Sequence, residues 1–147
     1  MTLYQFFLPM NLRKWKRIRK KMEFDIKSNV YVLTYLPTGR KYVGKTGYND
    51  NGKMRLHFHI NKLQHRTHTS KQFQADYDKY GGEKEKFKIE YVDTVLWSER
   101  FGRRPFDTEK LWMFKLKTYD DRYGYNSQDP SMRRWLRKCR MYTAIAT

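Results

Sequence analysis

Side chains that can bind phosphate and move protons lie close together in the first half of the sequence. Arg55 and His59 are one helical turn apart, in a segment whose apolar residues have helical spacing. Tyr31 and Tyr42 lie before it, in two short segments of alternating residues that are typical of strands. Arginine binds phosphate oxygens through a planar fork of N–H groups, and histidine and tyrosine can transfer protons. Together these residue types indicate chemistry at a phosphate group.

The segment of residues 29–46, NVYVLTYLPTGRKYVGKT, permits two incompatible structures. The spacing G-x-x-x-x-G-K-[ST] of a phosphate-binding loop is matched by four residues: Gly39, Gly44, Lys45 and Thr46. The alternation of residues instead predicts a hairpin, with strands at 30–35 and 40–43. The first strand would then have two different faces: Tyr31, Leu33 and Tyr35 on one, and Val30, Val32 and Thr34 on the other.

The hairpin is favoured because the neighbouring residues do not suit a phosphate loop. Such a loop requires a helix that begins at its Lys-Thr pair, so that the helix N-terminus points at the phosphates. Here residues 40–43 are strand-like, and the turn-forming sequence GYNDNG follows directly at 47–52. A phosphate-loop NTPase is the weaker alternative, and it would lose ATP binding on Lys45→Ala.

The sequence further along the chain predicts three helices and a third strand in the main domain, followed by a basic helix. One helix begins near Lys53, and a second is capped by Thr69 or Ser70 and ends at Gly81. Residues 87–92 alternate as a strand does. The remaining predicted elements are an irregular basic loop at 96–104, a helix that begins within 105–108, and a basic helix at 131–142. The order β-β-α-α-β-α predicts a small α+β domain rather than a parallel doubly wound sheet.

Two terminal segments carry much of the net charge of +17, which makes a polyphosphate backbone the natural partner. The 147 residues are enough for one domain, and we expect a basic arm at 1–27, the main domain at 28–127 and a basic helix at 128–147. An amphipathic helix at 11–23 would also suit an anionic membrane. The second basic segment and the phosphate-binding residues favour nucleic acid. The residues expected to contact the nucleic-acid backbone are Arg13, Lys14, Lys16, Arg17, Arg19, Lys20, Lys21, Arg103, Arg104, Arg133, Arg134, Arg137 and Lys138.

Cysteine and hydropathy narrow the class of protein. Cys139 is the single cysteine, so neither a disulfide framework nor a cysteine-based zinc site is available. The sequence shows no membrane span and no signal-peptide pattern, and we expect a cytoplasmic protein. A zinc site is a weak alternative, because two of its four candidate ligands diverge at i and i+2 on one helix: His57, His59, His65 and His68.

Eight residues resemble the GIY-YIG nuclease family in order and spacing: Tyr31, Tyr42, Gly44, Arg55, His59, His68, Glu109 and Asn126. The two motifs that name the family are similar to Asn29-Val30-Tyr31 and Tyr42-Val43-Gly44, with asparagine and valine in place of the first glycine and isoleucine. The resemblance covers residues 28–127. It implies a small three-stranded antiparallel sheet flanked by helices, and a metal-dependent DNA endonuclease with a single active site, as in homing, phage or restriction enzymes.

The resemblance also implies roles for individual residues. Glu109 is the one carboxylate at a matched position, which favours a single divalent ion, Mg²⁺ or Mn²⁺, over a metal pair. Tyr31 would be the general base and Tyr42 would orient the phosphate. A phenol with a pKa of about 10 is a poor base at neutral pH, so we expect its pKa to be lowered. The groups available to lower it are Lys41, Lys45, Arg55 and the metal ion.

The remaining matched residues have supporting roles in this interpretation. Arg55 would bind the scissile phosphate, and His59 would shuttle a proton or bond to the phosphate. Gly44, Lys45 and His68 would support the site, and Asn126 would buttress it through hydrogen bonds. Because no separate recognition module is evident, specificity or double-strand cleavage would require the basic segments, a homodimer or a partner protein. A basic nucleic-acid-binding protein without catalysis is the main alternative.

Overall fold

The computed structural model describes residues 25–97 and 107–146, and these form an α+β domain around a three-stranded antiparallel sheet with the strand order β2-β1-β3. This fold class confirms the prediction from the sequence. The elements in chain order are β1 (Asp25–Tyr35), β2 (Lys41–Thr46), α1 (Lys53–Gln64), α2 (Lys71–Tyr80), a 3₁₀ turn (Lys84–Lys86), β3 (Phe87–Trp97), α3 (Thr108–Leu116) and α4 (Pro130–Ala146).

The first two strands form the predicted hairpin. Its turn is closed by the Gly39 N–H, which donates to the Tyr35 carbonyl at 2.8 Å, and Gly39 has a φ of 72° that suits glycine. Lys45 and Thr46 are paired strand residues opposite Val30 and Asn29. The phosphate-loop alternative is therefore wrong, because no helix begins at the Lys-Thr pair.

Both faces of the central strand β1 are buried, and they face different helices. Tyr31 and its neighbours on the same face belong to a core cluster with residues of α1 and α2. Val30 and Val32 pack on the opposite face with Met113 of α3 and Met132 of α4. The alternation predicted for this strand is correct, and the sheet lies between two helical layers.

Strands β1 and β3 extend further than their sequences predict. Ile26 pairs with Leu96 and Asp25 with Trp97, so the first residues of the predicted basic loop are strand residues. Residues 98–106 and 1–24 lie outside the described residues. The predicted helix at 11–23 and seven basic residues of the first segment therefore stay predictions, as do Arg103 and Arg104.

The segment after α3 closes the free edge of β2. The Tyr125 N–H donates to the Lys41 carbonyl at 2.9 Å, and Gly124 forms a parallel bridge with Lys41. Edge strands have unpaired backbone groups, and this segment satisfies several of them. Among the described residues, no helix is both long and apolar enough to cross a membrane.

Candidate active site

The phenol of Tyr31 is fully buried and is the centre of a hydrogen-bonded group. Its Oη lies 2.8 Å from His59 Nε2 and accepts from Arg55 Nε at 3.3 Å and Nη2 at 3.2 Å. Arg55 and His59 both come from α1, where the one-turn spacing brings them to the same side. Three residues that the sequence singles out are therefore in direct contact.

Gly44 creates the space in which this phenol lies. Tyr31 and Gly44 are directly opposite each other in the β1–β2 ladder. A Cβ at Gly44 would overlap the hydroxyl and ring carbons of Tyr31. The glycine of the second motif is thus required by the close approach of the Tyr31 ring to the backbone of β2.

Two histidines extend the group away from Tyr31. His59 Nδ1 lies 2.8 Å from His68 Nε2, and the Ser70 N–H donates to His68 Nδ1 at 3.0 Å. Burial holds the pKa of His59 well below its ordinary value, with His68 and Arg55 acting in the same direction. Burial and the Lys62 charge lower the pKa of His68 to about 4. Both imidazoles are therefore neutral at pH 7.

The other tyrosine has its hydroxyl available for a ligand. The Tyr42 ring packs edge-on against His59, with centroids 4.7 Å apart. Its hydroxyl has no hydrogen bond within the described part of the chain, in contrast to that of Tyr31. Tyr42 also lines a cavity of about 260 Å³ with Asn126 and Asp129. A phosphate oxygen or a water molecule in this cavity would be within reach of the Tyr42 hydroxyl.

Glu109, in the first turn of α3, supplies the carboxylate of the site. Its side chain is 14% exposed and lies 3.8 Å from Lys45 Nζ. Burial raises the pKa of the Glu109 carboxyl, and its charge contributes to raising the pKa of both Tyr31 and Tyr42. The negative charge of Glu109 therefore opposes the ionisation of both phenols.

The environment of Glu109 suits a divalent cation. No hydrogen-bond donor reaches this partly buried carboxylate from the described residues. The same residues hold no group of three histidine, cysteine or acidic side chains that could bind a metal. Mg²⁺ usually binds one or two carboxylates and fills its other positions with water and substrate phosphate. Glu109 fits that pattern, and the zinc alternative is wrong for the described histidines.

The side-chain amide of Asn126 holds strand β2 in place. Its Oδ1 accepts from the Val43 N–H at 2.8 Å, and its Nδ2 donates to the Val43 carbonyl at 3.0 Å. The amide thus takes the place of a neighbouring strand, between the positions of Tyr42 and Gly44. These hydrogen bonds are of the kind expected of Asn126, whose supporting role at the site stays a prediction.

The expected lowering of the tyrosine pKa values is wrong for the protein without metal or substrate. Burial raises the pKa of Tyr42 to about 12. Burial also raises the pKa of Tyr31, with Tyr42 and Glu109 adding to the shift and Arg55 opposing it. The sequence places cations near these phenols, but it does not show that both rings are removed from water.

A buried acidic residue behind the site is missed by sequence reasoning. Asp76 Oδ2 accepts from Arg40 Nη1 at 2.7 Å and from the Tyr125 hydroxyl at 2.8 Å. Tyr125 precedes Asn126, so Asp76 joins α2 to the segment that holds β2. Its signal is a charged residue among Phe73, Tyr77 and Tyr80 on the apolar face of a helix.

Four basic residues of α4 lie at the surface. The helix packs on the sheet through Met132, while four predicted DNA contacts are exposed: Arg133, Arg134, Arg137 and Lys138. Pro130, the first residue of α4, lines the same cavity as Tyr42. These four basic residues are thus on a helix whose first residue lines the cavity of Tyr42.

The architecture of the sheet and its helices is that of GIY-YIG catalytic domains. The structure is similar to a mutant catalytic domain of the intron endonuclease I-TevI, which is a GIY-YIG homing endonuclease. The similarity covers 71% of this chain and 96% of that domain, with a TM-score of 0.53 and 20% sequence identity. A second structure, the catalytic domain of homing endonuclease I-TevI, has a TM-score of 0.49 and 21% identity over 67% of this chain and 96% of that one. No family model and no curated protein matches the sequence. The first similarity shows that the chain has this fold.

Proposed function

We propose that the protein is a metal-dependent endonuclease that hydrolyses phosphodiester bonds in DNA at a single GIY-YIG-type site. The observation that carries the proposal is the contact of Arg55 and His59 with the oxygen of Tyr31, beside the partly buried carboxylate of Glu109. Phosphate-binding and proton-accepting groups thus meet at one point. The fold of an endonuclease catalytic domain supports the same conclusion.

Hydrolysis at this site requires a base, a phosphate ligand and charge neutralisation. The oxygen of a water molecule attacks phosphorus, its proton passes to the ionised Tyr31 oxygen, and the bond to one ester oxygen breaks. Arg55 uses N–H groups that do not contact Tyr31 to bind the phosphate. The leaving oxygen takes its proton from solvent. Tyr42, whose hydroxyl is available, orients a second phosphate oxygen.

Glu109 would hold the divalent ion, Mg²⁺ or Mn²⁺, which neutralises charge on the phosphate when it is bound. Lys45 Nζ lies 3.8 Å from this carboxylate and partly neutralises its negative charge. The chain itself supplies one metal-binding carboxylate in this proposal, so water and phosphate oxygens complete the coordination. The proposal therefore predicts that chelators abolish cleavage and that Mg²⁺ restores it.

Binding of DNA in this proposal depends on the basic surface around the site. The exposed basic residues of α4 would contact phosphates, which position the duplex without reading its sequence. A single site cuts one strand in each encounter, so a double-strand break would need two successive cuts, a homodimer or a partner protein. We expect nicked circular plasmid to accumulate before linear plasmid.

A plasmid-nicking assay tests the proposal. Glu109→Gln and Arg55→Ala should each lower the cleavage rate by about 10²–10³-fold with Mg²⁺ or Mn²⁺, because each removes charge stabilisation of the transition state. Glu85→Gln, an exposed acid-to-amide change, is the matched control and should cleave as the wild type does. Equal rates for all four proteins would overturn the site assignment. Wild-type protein that shifts DNA and never cuts it would favour the binding-only alternative.

A further inference from the structure

The series of hydrogen bonds that leads to Tyr31 starts at a backbone amide, which can act only as a donor. The Ser70 backbone N–H can only donate, and it points at His68 Nδ1 from 3.0 Å. His68 Nδ1 must therefore be the unprotonated nitrogen, because a proton there would face the Ser70 hydrogen. A neutral His68 then carries its proton on Nε2. One backbone amide thus determines the tautomer of this imidazole.

The same reasoning passes to the next imidazole. His68 Nε2 lies 2.8 Å from His59 Nδ1, so the proton on His68 is donated to His59. A neutral His59 accepts at Nδ1 and carries its own proton on Nε2. That nitrogen lies 2.8 Å from the Tyr31 oxygen and donates to it. We call the run from the Ser70 N–H through His68 and His59 to Tyr31 the tautomer chain.

The tautomer chain gives the Tyr31 oxygen an unusual set of donors. Besides His59 Nε2, it receives the Nε and Nη2 groups of Arg55 at 3.3 and 3.2 Å. A neutral phenol oxygen offers two lone pairs, while a phenolate offers three. Three N–H groups are therefore fully used only by the ionised form. The same donors force the phenol hydrogen, when it is present, to point away from all of them.

We infer that His68 and the Ser70 N–H are positioning groups, which hold His59 as an N–H donor so that the site is built to stabilise the phenolate of Tyr31. Such a set of donors acts on the base as an oxyanion hole acts on a tetrahedral intermediate. Burial raises the pKa of Tyr31 and outweighs the Arg55 contacts in the protein alone. Each of the three donors acts in the opposite direction, because it favours the phenolate. His59 in this arrangement stabilises the base and does not take a proton from it.

This inference deepens the proposed function and rests on it only for its catalytic consequence. The tautomers themselves can be measured in the full chain without DNA or metal, by long-range ¹H–¹⁵N correlation of the imidazole nitrogens. We expect His59 and His68 both to be protonated on Nε2. His65 is an internal reference with a proton expected on Nδ1 instead. Its Nδ1 lies 2.8 Å from the Asn61 carbonyl oxygen, which can only accept. A proton on Nδ1 of His59 or His68 would overturn the inference.

Two variants of His68 test the consequence for cleavage. In His68→Gln, the amide oxygen can accept from the Ser70 N–H and the amide nitrogen can donate to His59, in the same order as the imidazole. His68→Phe fills a similar space and can do neither. We expect kcat of the phenylalanine variant to be at least about 10-fold below that of the glutamine variant, with KM unchanged and the His59 proton no longer confined to Nε2.

The outcomes separate this inference from the proposed function. Equal kcat values for the two variants, in a wild type that cleaves DNA, would overturn the positioning role. Loss of kcat with the His59 tautomer unchanged would also overturn it, since His68 would then act in another way. If wild-type protein does not cleave DNA at all, the proposed function fails, while the tautomer measurement still decides whether the chain of donors exists.

Discussion

At the scale of single residues, the candidate site depends on the absence of a side chain at Gly44. Gly44 lies opposite Tyr31, and the ring occupies the space that a methyl group at Gly44 would need. The Tyr31 phenol can reach Arg55 in the observed position only while this space is empty. The glycine is thus as important for the position of Tyr31 as the residues that bond to its oxygen.

Gly44→Ala should therefore move the Tyr31 ring or the backbone of β2. We expect cleavage to fall about 10²-fold, because displacement of a catalytic group by about 1 Å has an effect of that size. Overpacking should lower the free energy of unfolding by about 1–3 kcal/mol. Gly47→Ala is the control, since a Cβ there meets nothing within 4 Å. Plasmid nicking and urea unfolding would measure both effects, and a Gly44→Ala protein with wild-type activity would contradict this account.

At the scale of elements, the candidate site is where the hairpin, α1, α3 and the segment after α3 meet. Asp76 of α2 holds this arrangement from behind, through Arg40 in the hairpin turn and through Tyr125. Tyr125 in turn fixes the neighbouring Asn126, whose amide holds Val43 between Tyr42 and Gly44 of β2. A residue far from the chemistry thereby contributes to its geometry.

Asp76→Asn should destabilise the protein by about 2–3 kcal/mol, because it leaves the Arg40 guanidinium in a partly buried position without its counterion. Asp78→Asn, on the same helix, breaks a more exposed pair with Arg66 at 3.7 Å and should cost less than about 0.5 kcal/mol. Urea unfolding of both variants checks the difference. Similar decreases in the two proteins would show that the buried pair has no special role.

The sequence predicts most elements and the matched residues, because their patterns are local. The alternation of β1 and the Ser70 cap of α2 depend on neighbours along the chain, and both are observed. Sequence spacing cannot pair Asp76 with Arg40 and Tyr125, since those interactions join distant segments. Sequence spacing also places His59 next to the apolar face of its helix and not within that face. In the structure His59 is buried, with only 4% of its surface exposed. The hydrogen bond to Tyr31 brings this imidazole into the interior.

At the scale of the whole molecule, two neutral imidazoles make the stability depend on pH: His59 is buried and His68 is half-buried. The pKa of His59 and the pKa of His68 are both lower than in the unfolded chain. The unfolded state therefore binds more protons below about pH 6.5. Stability is fully present above this pH and declines as the pH falls towards the folded value of His68, which is about 4.

The free energy of unfolding should thus fall by up to about 3 kcal/mol between pH 6.5 and pH 4 through His68 alone. His68→Gln, which does not titrate, should lack this part of the decline, while carboxylates elsewhere affect both proteins equally. His57→Gln, at an exposed position of α1, is the control and should keep the wild-type slope. Chemical unfolding at several pH values measures the slopes. Parallel curves for wild type and His68→Gln would contradict a neutral His68 with a lowered pKa.

The charge of α4 is the last property of the whole molecule that can be tested. Four exposed basic residues follow the start of this helix, which lies beside the cavity of Tyr42: Arg133, Arg134, Arg137 and Lys138. If all four bind phosphates, they release counterions in proportion to the number of phosphates that they neutralise.

Replacing these four residues by glutamine should weaken binding to all DNA sequences alike, because phosphate contacts carry no sequence information. The slope of log K against log salt concentration should become less negative by roughly 0.9 for each phosphate that is no longer neutralised, or up to about 3.6. Lys84→Gln with Lys86→Gln, two exposed lysines beside the hairpin turn, is the matched control and should leave the slope nearly unchanged. Fluorescence anisotropy across a salt series measures both.

An unchanged slope in the fourfold variant would place the DNA on another face, and a change in the control would place it at the turn. If α4 alone changes the slope, the duplex lies across the end of the sheet where Tyr42 and the first residue of α4 share a cavity, with Arg55 directed at its backbone.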